Sequence, residues 1–118
     1  MTLTATTATY DLVDGAHVTG LAIADGTEGY LIFQRSEESD PDDWGIYFEF
    51  SDQSNSGYNQ IRKCRINRQM VEVDLAETVA GVSYIKVNLA VDDKPFIKFA
   101  AGMREVFRGQ QEKLEIIA

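Results

Sequence analysis

A chain of 118 residues is the length of one domain, and at this size folding buries roughly 65% of the unfolded chain's surface, enough for a core of its own. A composition that is 44% hydrophobic and 25% charged excludes a disordered chain, and no apolar run is long enough for a membrane helix. The net charge of -8, from 19 acidic and 11 basic residues, opposes binding to nucleic acid and favours a basic protein partner.

The start, MTLTATTATY, has neither a basic nor an apolar leader segment, and the single cysteine cannot close an internal disulfide, so a cytoplasmic protein is expected. From Leu3 to Asp14 a Thr-rich stretch alternates weakly and gives a first strand or an extended arm. His17 to Ala24 (HVTGLAIA) and Tyr30 to Arg35 (YLIFQR) flank the turn Asp25 to Gly29 (DGTEG), which predicts a hairpin. Leu31 and Phe33 alternate with Tyr30, Ile32 and Gln34, so the second of these strands is expected to be central and covered on both faces. Glu37, Glu38, Asp40, Asp42 and Asp43 then crowd the segment SEESDPDDW, whose mutual repulsion predicts an extended, exposed loop ending at Trp44.

The stretch Gly45 to Ile66, GIYFEFSDQSNSGYNQIRKCRI, concentrates the unusual residues. Ile46, Phe48 and Phe50 alternate with Tyr47, Glu49 and Ser51 in a half-buried strand. Asp52 to Gln60 is rich in Asp, Asn, Ser and Gly and predicts a nine-residue loop, either a solvated connection or a binding loop. On the far side Cys64 and Ile66 face the core and the basic side chains face water. A tight turn at Asn67 to Gln69 leads into MVEVDL, Ala76 to Val82 forms a helical turn or a loop, and SYIKVNLAV is the clearest strand.

Asp92, Asp93 and Pro95 are a helix start. Phe96, Phe99, Ala100, Met103, Val106 and Phe107 then make one apolar stripe, closed by Gly109 with Arg104 and Arg108 at the negative end of the helix dipole. Leu114 to Ile117 is an edge strand or a tail. The expected fold is α+β and mostly β: one domain over residues 1–118, an antiparallel sheet of about six strands with one C-terminal amphipathic helix packed on it.

No catalytic, cofactor or metal constellation emerges. His17 is the only histidine, Cys64 lies on an apolar strand face without an activating partner, and the GTEG turn lies between strands rather than at a phosphate-binding strand-to-helix junction. One pair of carboxylates can be drawn, Glu49 with Asp52, with Arg35 nearby and paired to an acid such as Glu49. Trp44 beside the acidic loop is either an interface anchor or a side chain packed under its own loop.

Read in order, Gln34-Arg35-Ser36, the acidic loop, Tyr47-Phe48-Glu49, Asp52-Gln53, Ser56-Gly57-Tyr58 and Ile61, followed by a hairpin, a strand from Tyr84 and a short helix, resemble the immunity protein 10 family of bacterial polymorphic-toxin systems. The similarity covers about Val18 to Arg108; Asn59-Gln60 and the tail after Gly109 depart from the family pattern. The resemblance implies a non-enzymatic, mostly β protein that binds and neutralises a cognate toxin domain, and a basic nuclease fits the acidic charge. Its repeated polar positions fall here on Gln34, Arg35, Tyr47, Glu49, Ser56, Gly57 and Tyr58. The expected toxin contact is Glu37, Glu38, Asp40, Asp42, Asp43 and Trp44 together with Asp52, Gln53, Ser56 and Tyr58. An adaptor or regulatory domain with another partner is the alternative, and pairing of two copies through a strand edge stays open.

Overall fold

The computed structural model describes residues 1–22, 29–37 and 43–117. Its strands are β1 (Thr2–Ala5), β2 (Thr7–Val13), β3 (Ala16–Ala22), β4 (Tyr30–Ser36), β5 (Tyr47–Phe50), β6 (Asp52–Tyr58), β7 (Ile61–Ile66), β8 (Met70–Val79), β9 (Val82–Leu89) and β10 (Leu114–Ile116), with one α-helix, α1 (Asp93–Val106). The mostly β, α+β class and the C-terminal helix are as expected, but the strands divide into two five-stranded sheets rather than one of about six. The first sheet runs β1-β9-β8-β7-β10 and the second β2-β3-β4-β5-β6. In the second every pairing is antiparallel, whereas β1 joins β9 and β10 joins β7 in parallel.

Local chemistry explains the extra strands. The expected single arm breaks at Thr6, whose N–H donates to Ala22 O at 3.0 Å, so β1 enters one sheet and β2 the other. Asp14 and Gly15, with φ of 49° and 78°, form a two-residue hairpin of the kind that matches strand twist, closing β2 onto β3. Ala80 and Gly81 do the same between β8 and β9, so Ala76 to Val82 is mostly strand rather than a helical turn or loop. Ser51, at φ 59°, turns the chain straight back beside a bulge at Glu49 and Phe50, and Asp52 to Tyr58 pairs with β5 as an edge strand. The predicted nine-residue loop is therefore wrong: a strand at the rim of a sheet needs no apolar face, so its polar composition imitates a loop. The DGTEG turn falls largely outside the described residues.

Cross-strand neighbours build one core. Leu21, Leu31 and Phe50 line up on the inner face of the second sheet, as do Thr19, Phe33 and Phe48. Ile85, Val73 and Cys64 face them from the first, and all the apolar members join Phe99, Met103, Val106 and Phe107 of the helical segment in one cluster. Each buried Phe contributes roughly 2–3 kcal/mol by area alone. The stripe of α1 lies over β2, β3 and β4, where Thr19 Oγ1 donates to Met103 Sδ at 3.2 Å. β4 is the middle strand of its sheet, as expected, but among the described residues it is covered on one face only: Leu31 and Phe33 are buried while Tyr30, Ile32 and Gln34 stay half-buried.

Candidate functional site

The uncovered face of the second sheet is where the unusual residues meet. Alternation sends Leu31, Phe33, Phe48 and Phe50 inward, so Tyr30, Ile32, Gln34, Tyr47 and Glu49 point the other way. Register then sets Tyr47 between Gln34 and Tyr58, and Glu49 between Ile32 and Ser56. The Glu49 carboxylate accepts a hydrogen bond from Tyr47 Oη at 2.5 Å on Oε1 and another from Tyr30 Oη on Oε2. That carboxylate pushes the Tyr30 hydroxyl up to about 12 and raises Tyr47's as well, so both remain donors across the physiological range.

Beside this cluster stands an aromatic wall. The Tyr58 ring lies edge-on to Tyr47 with centroids 5.5 Å apart and is tilted at 45° to Trp44 at 5.9 Å. Trp44 is 70% exposed and Tyr58 51%, so both rings present much of their surface to solvent. Main-chain geometry holds Trp44 there. Gly45 has φ +101°, and a Cβ on it would sit 2.3 Å from Asn59 Oδ1; Asn59 Nδ2 in turn donates to Trp44 O at 3.2 Å. On the far side of Tyr30 a groove of ≈ 140 Å³ runs over Gly20 between Thr9 and Ile32.

Six of the residues singled out by sequence thus share one face: Gln34, Trp44, Tyr47, Glu49, Ser56 and Tyr58. Others do different work. Arg35 does not pair with Glu49. Its Nε donates to both Asp43 oxygens at 3.0 Å, and its Nη1 donates to Val106 O at 3.2 Å and Arg108 O at 2.9 Å, fastening the C-terminal end of α1. Asp43, held below the usual carboxylate range by that Arg35 hydrogen bond, also accepts from Gly45 N. It is a structural tie as well as the end of the acidic segment. Asp52 accepts from the N–H and hydroxyl of Ser54, both at 2.8 Å, so the drawn pair is split, with Glu49 and Asp52 served by separate donors. Gly57 makes room for the Gln60 side chain, which would meet a Cβ there at 2.5 Å. Gln53 is exposed on β6, and Glu37 is exposed with its N–H on Gly15 O at 2.9 Å. Glu38, Asp40 and Asp42 lie outside the described residues.

Sequence reasoning missed Tyr30, because only the β4 to β5 register brings it to Glu49. It also passed over a signal in plain view. Arg35 is the first basic residue in the chain and Arg62 the second, whereas eleven of the 19 acidic residues precede Arg62. The whole second sheet therefore carries one cation, and that one is spent on the helix end.

A cleft of ≈ 540 Å³ lies beyond Tyr58, between β6 and the far end of β8. Its lining includes Ser54, Ser56, Asn59, Gln60 and Glu77, and Tyr58 is the one aromatic side chain it shares with the sheet face. Among the described residues no three His, Cys, Asp or Glu side chains gather as metal ligands, and no helix is long and apolar enough to cross a membrane. Against this geometry, the family model described as Immunity protein 10 matches residues 2–96. The chain belongs to the immunity protein 10 family. The match begins at β1 and ends in the first turn of α1, so most of the helix and β10 lie outside it. An immunity role with a toxin protein as partner follows from membership in general terms. No curated protein matches the chain.

Proposed function

We propose that this immunity protein binds and neutralises a cognate toxin domain by direct contact in the cytoplasm, without chemistry of its own, and that the uncovered face of the second sheet is the surface it presents. The observation that carries this reading is the exposed Trp44 and Tyr58 pair, set beside Tyr47 on a sheet face that no helix among the described residues covers. Aromatic residues of this kind dominate interface energetics, and seven-residue strands spaced as in a sheet span about 20 Å by 20 Å, a flat area of about 400 Å² or roughly half of one side of an ordinary interface. The concentration of acidic residues before Arg62 suits a basic toxin, such as one whose surface binds phosphates.

Calorimetric titration with the toxin domain encoded beside this protein, at low and high salt, tests the proposal. Nanomolar binding, weakened by salt and by Trp44→Ala with Tyr58→Ala, and accompanied by loss of toxin activity, is the expected result. Tight binding that both substitutions leave unchanged moves the contact to another surface, and no binding returns the chain to an adaptor role with a different partner.

A further inference from the structure

Glu49 is set up unlike any other acidic side chain described here. It sits half-buried on β5, one strand in from the sheet edge, and among the described residues it receives hydrogen bonds only from the neutral hydroxyls of Tyr30 and Tyr47 and makes no ion pair. The undescribed segments 23–28 and 38–42 contain no Lys or Arg that could supply one. Elsewhere, Asp43, Glu72, Asp74 and Asp93 all have arginine partners within the chain.

An ionised carboxylate offers about four acceptor positions, and the tyrosines fill two. Water serves the rest while the face is free. A partner that covers the face removes that water, and a covered charge without a counter-charge is strongly unfavourable. A partner that brings a cation to Glu49 avoids that cost most directly. A planar guanidinium suits the site better than an ammonium: its fork matches the two open acceptor positions, and its flat face stacks on aromatic rings such as those of Tyr58 and Tyr47 alongside.

We infer that Glu49, braced by the Tyr30 and Tyr47 hydroxyls, with the Tyr58 ring set against Tyr47, is a receptor for one arginine side chain of the protein partner. The partner's identity rests on the toxin-binding reading; the chemistry of the receptor does not.

Two measurements test it separately. The first is an NMR titration of the intact protein with N-acetyl-arginine methylamide, and with the lysine counterpart for comparison. Saturable shifts are expected at the Tyr30 and Tyr47 rings and at the Tyr58 ring beside Tyr47, with half-saturation on the order of 10 mM for arginine and weaker for lysine. No response at these rings, or an equal response to lysine, overturns the arginine receptor. In the second, Glu49→Gln should weaken the complex with the toxin domain by at least about thirtyfold, through faster dissociation, and Tyr58→Ala by about tenfold. Unchanged affinity of Glu49→Gln beside a tight wild-type complex overturns the receptor and leaves the immunity reading standing. A toxin domain that fails to bind wild-type protein overturns the immunity reading, and the arginine titration then decides the receptor alone.

Discussion

Replacing Arg35 by methionine keeps the aliphatic stem and removes a guanidinium that four acceptor atoms share. Its side chain is 11% exposed, and the loss leaves Asp43 with Arg108 Nη2, 3.7 Å away, as its remaining cation. Hydrogen bonds to charged groups contribute roughly 1.5–3 kcal/mol each, and breaking a buried pair costs about 3–5 kcal/mol; partial exposure of Asp43 and Arg108 places the net loss near the bottom of that range, about 3 kcal/mol. A 118-residue domain unfolds with an entropy of about 0.25 kcal/mol/K, so the melting temperature should fall by about 12 °C. Urea titration and calorimetry read the loss directly. Partner affinity, measured well below the new melting temperature, should change by less than about threefold, because the guanidinium faces the helix end and not the open sheet. Full stability combined with lost affinity would refute this placement and return Arg35 to the binding surface.

The Asp43 carboxyl, lowered from its ordinary 3.8 chiefly by the Arg35 hydrogen bond, contributes stability that is complete above the unfolded-state value and is lost as pH falls through the folded one. Wild-type stability should therefore converge on that of Asp43→Asn below about pH 4 and exceed it by a constant margin from pH 5 to 8, and a margin that grows on acidification would contradict the tie. Gly102→Ala would set a Cβ 2.5 Å from the Tyr10 ring and from Thr19 Cγ2, lifting α1 from the sheet; a loss of about 1–3 kcal/mol in urea unfolding is expected, and a neutral result would mean the helix has slack there. Cys64 is fully buried and its thiol is pushed up to about 12 by burial, so a thiol reagent should label it only as fast as the domain opens, and rapid labelling of folded protein would refute that. Neutralising Glu37, Glu38, Asp40 and Asp42 while leaving Asp43 in place should slow association with the toxin domain and flatten its salt dependence, and an unchanged on-rate would put steering elsewhere.

Strands that build the core were legible because alternation of Phe, Ile, Leu and Val records which face is buried, and the stripe of α1 was legible for the same reason. Edge strands escaped. β6 and the far end of β8 border solvent, where nothing enforces apolar residues, so DQSNSGY reads as loop even though its backbone pairs regularly with β5. The Asp14-Gly15 turn was available as a hairpin signal and would have split the N-terminal arm. Within the candidate site, Tyr47, Glu49 and Tyr58 stood out by type and spacing, but the Tyr30 bond to Glu49 spans 19 residues and depends on a register that composition does not encode. Arg35 was drawn to the wrong carboxylate because alternation places it on the helix side of β4, a fact that matters only once the helix end is known to lie there.

In the proposed complex the acidic segment and the aromatic face would do different physical work. The segment's flanks are fixed: Glu37 is tied to the β2–β3 turn through Gly15 O, and Asp43 is tied to Arg35 and Gly45 N immediately before Trp44. In the proposed complex, exposed acidic charge acts over about a Debye length, roughly 8 Å at physiological salt, so it would attract a basic partner but hold little once contact is made. Holding would then fall to the covered sheet face, where Glu49 has no ion pair among the described residues and Tyr47 and Tyr58 offer rings. Because Arg35 and Asp43 neutralise each other at the helix end, the tie that positions the segment leaves the charge of Glu49 unspent, and a partner gains most by answering that charge with a basic side chain.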